Sequence, residues 1–208
     1  RDFVIFEVEK GRLIKKLARY RQRIAVAEAV KRITERPTSA KSNGVRSRGG
    51  VIWHTQGSGK SLTMVWLALK LRRDPALKNP TLVVVTDRND LDRQLSDTFT
   101  ACNYSVERAG SIKDLKALLH GSVGQTVFTT IQKFQERAAP ELTKAAKKAG
   151  RRTPTAAFPE LNAADNIVVV MNSSQALAVG LMDAPMGNPN WFQAIRDRAA
   201  DIHLEPFE

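Results

Sequence analysis

The sequence has little cysteine, no long apolar run and, in its last quarter, no lysine. Cys102 is the only cysteine among the 208 residues, so an internal disulfide is excluded and a thiolate metal site cannot be built from this chain alone. We expect Cys102 to be a small core residue in a reducing compartment. No stretch approaches the roughly 18 consecutive apolar residues of a membrane-spanning helix, and no basic and then apolar leader opens the chain. We therefore expect a cytoplasmic protein without a membrane partner and, because the chain begins with Arg1, a piece of a longer protein.

Acidic residues are scarce in the first three quarters of the chain. The net charge is +12, and such an excess of lysine and arginine favours a polyanionic partner, because these residues displace counterions from phosphates. Residues 1–153 carry 31 basic and 14 acidic residues, whereas residues 154–208 carry 2 and 7. No lysine follows Lys148, and Met171, Met182 and Met186 lie beyond it. We therefore treat residues 171–208 as an atypical acidic tail of uncertain origin.

A basic amphipathic pattern runs through the first part of the chain. Lysines and arginines separate apolar residues that recur three or four positions apart, namely Leu13, Leu17, Tyr20, Ile24, Val26, Val30 and Ile33. This spacing predicts one helix that ends at Pro37. The following TSAKSNGVRSRGG is typical of a surface loop. We assign residues 1–48 to this helix and loop.

Residues 49–170 have the pattern of an α/β domain with a buried parallel sheet. A short apolar run at residues 51–53 precedes a helical pattern at 62–71, and TLVVVT from Thr81 is a near-continuous β-branched run. Residues 126–130 and 166–170 supply two more predicted strands. Asn89 is predicted to cap a helix, and Ser111 and Asp114 have the spacing of a capping box before another. Residues 136–165 are predicted to be an exposed, mobile insertion.

The stretch VIWHTQGSGKSLTM, residues 51–64, has the residues of a phosphate-binding loop between a strand and a helix. Gly57 and Gly59 allow the backbone to curl so that successive N–H groups point at phosphate oxygens. Lys60, the candidate catalytic residue, adds a charge for the β and γ phosphates, and the hydroxyl of Ser61 is the candidate Mg²⁺ ligand. The following helix turns its positive end to the anion. The predicted ATP contacts are Thr55, Gln56, Gly57, Ser58, Gly59, Lys60, Ser61 and Leu62.

One position departs from the strict phosphate-loop pattern. That pattern has a glycine where this chain has His54, which we interpret as a polar residue at the end of the strand. The alternative for the whole stretch is a chance Gly-Ser linker on the surface. The apolar strand before it and the amphipathic helix after it favour the nucleotide loop.

Four longer motifs make the sequence similar to a known family. RGGVIWHTQGSGKSLTM, NPTLVVVTDRNDLDRQL, TVFTTIQKF and NIVVV occur in this order and resemble the first motor lobe of the restriction (R) subunit of type I restriction enzymes, which are superfamily 2 DNA translocases. The resemblance covers about residues 4–170. It implies a RecA-like P-loop lobe, mainly a parallel sheet with helices on both faces, that uses ATP and Mg²⁺ to move along double-stranded DNA. It also implies a separate nuclease domain and modification and specificity subunits as partners.

The resemblance also implies roles for residues outside the phosphate loop. Gln22 in ARYRQ is implied to bind adenine, whose edge needs the donor and the acceptor that a glutamine amide has. The alternative is a solvated glutamine on a basic helix. Thr86, Arg88 and Asn89, at the carboxyl end of a strand, are candidate contacts to the DNA backbone. The alternative is a helix cap followed by an exposed charged face, which suits Asp90 and Asp92 better.

A second group of candidate DNA contacts follows the strand at residues 126–130. Thr129, Thr130 and Gln132 lie where a DNA strand could be touched, but threonine also simply favours strands. For these residues, contact with DNA and a purely structural role are equally supported.

Two carboxylates are missing where the resemblance requires them. After NIVVV such motors have Asp-Glu-Ala-His, in which the Asp holds the water shell of magnesium and the Glu polarises the attacking water. In strict register these positions are Asn172 and Ser173. Either the lobe has become a nucleotide binder, or the sequence beyond Val170 comes from elsewhere through truncation, frameshift or fusion. The change in charge and in methionine content favours the second explanation.

The end of the chain carries a second, shorter resemblance. AIRDRAADIHLEPFE, residues 194–208, resembles a region of secretion and pilus-assembly ATPases, although Ala200 stands where they have serine. In that family this element precedes the phosphate loop, whereas here it follows the loop. Asp201, His203 and Glu205 alternate as on a strand, which exposed strand positions explain better than a metal site does.

Three functions therefore remain at the level of sequence. The first is the ATP-binding motor lobe of a type I restriction subunit. The second is a module that binds nucleotide and DNA backbone without turnover, because the two carboxylates are absent. The third, a secretion-type ATPase, is contradicted by the order of its elements.

Overall fold

Seven strands form one sheet, and helices pack against it, in the part of the chain that the structure describes. This computed structural model describes residues 2–35, 49–53, 57–120, 124–134, 166–172, 176–181 and 203–204. The strands are β1 (Val4–Glu9), β2 (Arg12–Leu17), β3 (Gly49–Trp53), β4 (Thr81–Thr86), β5 (Glu107–Arg108), β6 (Thr126–Thr130), β7 (Ile167–Asn172), β8 (Ala176–Leu181) and β9 (His203–Leu204). The helices are α1 (Tyr20–Thr34), α2 (Lys60–Arg73), α3 (Asn89–Ala101) and α4 (Ile112–Leu119), with 3₁₀ turns at Pro75–Leu77 and Ile131–Phe134.

The sheet is mainly parallel, as predicted. Its strand order is β5-β6-β4-β7-β8-β3-β9. β5, β6, β4 and β7 are parallel neighbours, and β8 is antiparallel to both β7 and β3. β3 and β7 therefore point the same way, and the carboxyl ends of β3 to β7 all lie at one edge, named here the carboxyl edge. β8, which no pattern predicted, lies inside the sheet although its residues fall in the segment 171–208.

Helices cover both faces of the sheet, which confirms the predicted α/β fold. Leu82 and Val84 of β4 pack in one apolar cluster with α1, α2 and α3. Val83 and Val85 pack in a second cluster with Leu115 and Leu119 of α4. Because successive side chains of a strand point to opposite faces, a strand covered on both sides needs an unbroken apolar run. This requirement explains TLVVVT.

Helix α2 holds the end of the phosphate loop in place. It is buried on nearly every side, through Thr63, Met64, Val65, Trp66, Leu67, Ala68 and Leu71. Such all-round burial is typical of a helix inside a core. Because α2 begins at the carboxyl edge after β3, its packing fixes the position of its first turn there.

The N-terminal pattern is a hairpin and a shorter helix, so the prediction of one helix from Leu13 to Ile33 is wrong. Leu13 and Leu17 lie on β2, which pairs antiparallel with β1, and the helix begins only at Tyr20. Lys10 and Gly11 form the turn with φ values of 48° and 75°. A two-residue turn with both φ values positive is the kind whose twist suits a hairpin.

The two faces of the hairpin differ in burial, and this gives a test of the correction. Ile5 is 4% exposed and belongs to the main core, whereas its neighbour Phe6 is 50% exposed. We expect Ile5→Ala to lower the free energy of unfolding by about 2–4 kcal/mol, as buried isoleucine truncations do. Phe6→Ala is the matched control and should cost well under about 1 kcal/mol. Urea unfolding followed by circular dichroism measures both, and equal costs would contradict the hairpin.

Other predicted features have mixed outcomes. Asn89 is the first residue of α3, and Arg88 is the cap, whereas the capping box of Ser111 and Asp114 is confirmed by hydrogen bonds of 3.0 and 3.1 Å. Cys102 is partly buried against the core, and burial raises the pKa of its thiol to about 11. The insertion 136–165 lies outside the described residues. Among the described residues, no helix is both long enough and apolar enough to cross a bilayer.

Candidate nucleotide site and nucleic-acid interface

The described part of the phosphate loop has the backbone shape that anion binding requires. Gly57 and Gly59 have φ values of 79° and 83°, and Gly59 caps the 14-residue helix α2, whose first residue is Lys60. Residues in this left-handed region turn the chain so sharply that neighbouring N–H groups can point at one anion. The first N–H groups of α2 have no partner within the helix. The loop and the helix end therefore offer donors at one place.

Gln22 of α1 lies against this loop. It is 6% exposed, and its Nε2 lies 3.1 Å from the carbonyl oxygen of Gly59 and 3.2 Å from the hydroxyl oxygen of Thr63. Its Oε1 accepts a hydrogen bond of 2.9 Å from the N–H of Arg19. The solvated alternative for Gln22 is therefore wrong. Its donor and its acceptor both have protein partners here, so binding adenine would require them to rearrange, and that role stays a prediction.

Two further contacts reinforce the junction between α1 and the loop. The hydroxyl of Thr63 donates to the carbonyl oxygen of Gly59 at 3.2 Å, and Thr63 is fully buried. A Cβ added to Gly59 would lie 2.8 Å from Nε2 of Gln22. Gly59 is thus required both by its φ and by the close approach of Gln22. Thr63 was not predicted, and its only signal is a hydroxyl within the otherwise apolar run at residues 62–69.

Lys60 and Ser61 occupy the first turn of α2 and are both partly buried. Burial lowers the pKa of the Lys60 ammonium below that of a free lysine, because removal from water disfavours the charge. A bound anion would oppose this shift. Thr55, Gln56 and His54 lie outside the described residues. Ser58 lies between the two glycines, and Leu62 lies in the first turn of α2. Their contact with ATP stays a prediction.

Asn172 stands at the carboxyl edge, two strands from β3. It pairs with Leu177 of β8, which in turn pairs with Ile52 of β3. Two steps between strands amount to about 10 Å. Oδ1 of Asn172 is buried and has no hydrogen-bond partner among the described residues. An amide thus occupies the end of β7 where the resemblance requires a carboxylate, and Ser173 lies outside the described residues.

The candidate DNA contacts lie at the ends of β4 and β6 and differ in exposure. Arg88 and Asn89 are exposed, whereas Thr86 and Thr130 are buried. The hydroxyl of Thr86 donates to the carbonyl oxygen of Arg88 at 3.3 Å. Thr86 and Thr130 therefore lie inside the protein at this edge. Their direct contact with DNA stays a prediction.

Two other polar residues tie this region together. Thr129 is fully buried, whereas Gln132 is exposed and donates through its Nε2 to the carbonyl oxygen of Asp87 at 2.8 Å. The 3₁₀ turn after β6 is thus bound to the loop that precedes α3.

An ion pair that was not predicted joins β5 to the first turn of α3. Asp92 of α3 is 1% exposed and accepts hydrogen bonds of 3.1 and 3.0 Å from Nε and Nη2 of Arg108. The expectation that Asp92 lies on an exposed charged face is therefore wrong, although it holds for Asp90. Among the described residues, no group of three or more His, Cys, Asp or Glu side chains could hold a metal ion. Asp201 and Glu205 lie outside those residues.

Comparisons with known proteins agree with this architecture. The sequence profile of the SWI2/SNF2 ATPases matches residues 21–187, and so runs past Val170. The type I restriction enzyme HindI endonuclease subunit of Haemophilus influenzae is 41% identical over 188 residues, which cover 86% of this chain and 16% of that protein. The putative type I restriction enzyme MjaIXP endonuclease subunit of Methanocaldococcus jannaschii is 32% identical over 181 residues, or 87% of this chain and 15% of that protein. The chain thus spans about a sixth of the length of these relatives.

Proposed function

Because this chain belongs to the SWI2/SNF2 ATPase family and resembles endonuclease subunits of type I restriction enzymes, we propose that it is the ATP-binding motor lobe of such a subunit. In this role it binds ATP with Mg²⁺ and contacts the backbone of double-stranded DNA in the cytoplasm. The modification and specificity subunits of a type I complex are its proposed partners. Cutting of DNA belongs to a nuclease domain, and translocation needs a second motor lobe.

The shape of the phosphate loop is the observation that carries this proposal. Two left-handed glycines, a lysine at the first helical position and a hydroxyl residue next to it occur between β3 and α2. Backbone N–H groups would hold the phosphates, Lys60 would neutralise them, and the hydroxyl of Ser61 would hold Mg²⁺. A magnesium ion held there would supply positive charge that offsets the negative charge of the phosphates.

The excess of basic residues supports DNA as the partner. The net charge of +12 supplies affinity for phosphates that does not depend on sequence. Arg88 and Asn89 are exposed at the carboxyl edge, at the same edge of the sheet as the phosphate loop. In open α/β sheets ligands bind along this edge.

A module that binds without turnover is the second candidate, and Asn172 favours it. The neutral amide of Asn172 stands where the resemblance requires the carboxylate that holds the water shell of magnesium, and Ser173 stands where it requires the carboxylate that polarises the attacking water. Loss of a positioned general base lowers a rate by about 10²–10⁴-fold. The two candidates share one pocket and differ in whether phosphate is released.

Nucleotide titration and phosphate release, measured on the same purified chain, test the proposal. We expect ATP with Mg²⁺ to bind and DNA duplex to bind, with negligible steady-state release of phosphate whether or not DNA is present. The reason is that Asn172 replaces the carboxylate and that superfamily 2 motors complete the site with arginines of a second lobe. Absence of nucleotide binding would contradict both candidates. Robust phosphate release would contradict the expectation that turnover requires a second lobe and the two missing carboxylates.

A further inference from the structure

We propose that Arg108, held in place by the buried carboxylate of Asp92, is a further contact to the DNA backbone at the carboxyl edge. This inference rests on the proposed function, because it requires that the lobe binds DNA. It adds a residue from β5, the edge strand of the sheet, to the surface formed by Arg88 and Asn89. Neither the motifs nor the charge pattern of the sequence single out Arg108.

The topology brings Arg108 close to Arg88. β5, β6 and β4 are parallel neighbours, and Arg108 ends β5 in register with Phe128, two residues before the end of β6. Its side chain is linked to the carboxyl edge by its contact with Asp92 in the first turn of α3. Arg88 caps α3, and the N–H of Asp92 donates to the carbonyl oxygen of Arg88 at 3.0 Å. Residues four apart on a helix share one side, with about 5–6 Å between their Cβ atoms. The guanidinium that Asp92 holds therefore lies about one helical turn from the exposed Arg88.

The ion pair fixes the orientation of the guanidinium of Arg108 but occupies only two of its nitrogen atoms. Both hydrogen bonds go to Oδ2 of Asp92, from Nε and Nη2 of Arg108. A guanidinium has five N–H groups in a planar fork, so the remaining ones stay available to another acceptor. The side chain of Arg108 is 43% exposed, whereas that of Asp92 is 1% exposed. A fixed, half-exposed fork is suited to phosphate, because little conformational freedom remains to be lost on binding.

The arrangement is a costly way to hold β5 to α3. Oδ1 of Asp92 is buried and has no hydrogen-bond partner among the described residues. A buried carboxylate with an unsatisfied oxygen adds little net stability, and apolar side chains of similar volume often serve as well or better. Orientation of Arg108 is what a carboxylate provides here and an apolar contact would not.

Binding of the 208-residue chain to a short fluorescein-labelled DNA duplex, measured by anisotropy over a salt series, tests this role. We expect Arg108→Gln to weaken binding about tenfold and to lower the slope of log K against log salt by about 1, as loss of one phosphate contact does. Arg12→Gln removes the same charge from the hairpin. Glu7 and Lys16 of the hairpin lie near Cys102, which follows the end of α3 that is remote from the carboxyl edge. This control should change the slope much less.

Asp92→Asn separates positioning from charge. It raises the net charge by one, so an unpositioned cation would bind DNA more tightly. We expect weaker binding instead, because an amide holds the fork less firmly than a carboxylate. Tighter binding by Asp92→Asn would overturn the positioning role. Circular dichroism melting checks that each variant folds. If Arg108→Gln unfolds, Arg108→Lys, which keeps the charge but loses the fork, takes its place and should bind duplex more weakly than the wild type.

The failure of this inference differs from the failure of the proposed function. If the wild-type chain binds no duplex, DNA binding by this lobe is wrong. Suppose instead that the wild type binds duplex and that Arg88→Gln weakens this binding. If Arg108→Gln then has no larger effect than the control Arg12→Gln, only the role of Arg108 is wrong.

Discussion

We expect replacement of Lys60 by alanine to abolish detectable nucleotide binding. The ammonium group is the charge at the first position of α2, beside the left-handed Gly59. Hydrogen bonds to charged groups each contribute about 1.5–3 kcal/mol, and loss of the contacts to the β and γ phosphates lowers affinity by at least about a hundredfold. Isothermal titration of ATP with Mg²⁺ into both proteins measures the loss. Unchanged affinity would overturn the assignment of the phosphate loop.

One further substitution and one stability measurement show that the loss comes from the site. Lys70→Ala removes a lysine from the same helix, but this residue pairs with Asp2 at 2.6 Å, so nucleotide affinity should not change. Lys60→Ala should change the melting temperature of the nucleotide-free chain little, because the side chain of Lys60 is only partly buried.

The core strands could be predicted because burial on both faces leaves a simple pattern. β4, β6 and β7 read as unbroken apolar or β-branched runs, and the structure places all three side by side. β8 also has an apolar sequence, ALAVGL. It was missed because the changes in charge and methionine content marked its segment as foreign. Composition describes a segment as a whole and does not show whether a short run within it joins a sheet.

The N-terminal helix was overextended because its apolar spacing fits two structures. Leu13 and Leu17 are four apart, which suits a helical face, but on a strand they are also an even number apart and so share a face of the sheet. Lys10 and Gly11, with residues of alternating polarity before them, were the signal that distinguishes a hairpin. The residues of the turn were therefore a better indicator of the local structure than the spacing of the apolar residues.

The site could be predicted only where its parts are close in sequence. Gly57, Gly59 and Lys60 follow one another, so their spacing carries the chemistry. The pair of Asp92 and Arg108 and the contact of Gln22 with Gly59 join residues 16 and 37 positions apart. Charged residues with no partner nearby in sequence look like solvated residues, and this is why Asp92 was expected to be exposed.

Replacing Gly59 by alanine should impair both stability and nucleotide binding. The φ of 83° is unfavourable for any residue with a Cβ, at a cost of about 1–2 kcal/mol. The added Cβ would also lie 2.8 Å from Nε2 of Gln22. That amide cannot simply turn away, because its two ends are hydrogen bonded to Thr63 and to the N–H of Arg19. We expect the loop to shift, and nucleotide affinity to fall by more than about tenfold.

A matched pair of glycines separates the two causes. Gly57 has nearly the same φ, 79°, but a Cβ there would meet nothing within 4 Å. Gly57→Ala therefore measures only the cost of a positive φ for a residue with a Cβ. The difference between the two variants in free energy of unfolding is then the cost of the clash with Gln22. Gln22→Ala should remove that difference, and a double-mutant cycle should give a coupling between Gln22 and Gly59 of about 0.5–3 kcal/mol. Equal costs at the two glycines, with no coupling, would mean that α1 does not press on the loop. With a measurable coupling, movement of Gln22 toward an adenine would release Gly59, so that occupancy of the base site and the shape of the phosphate loop depend on one another.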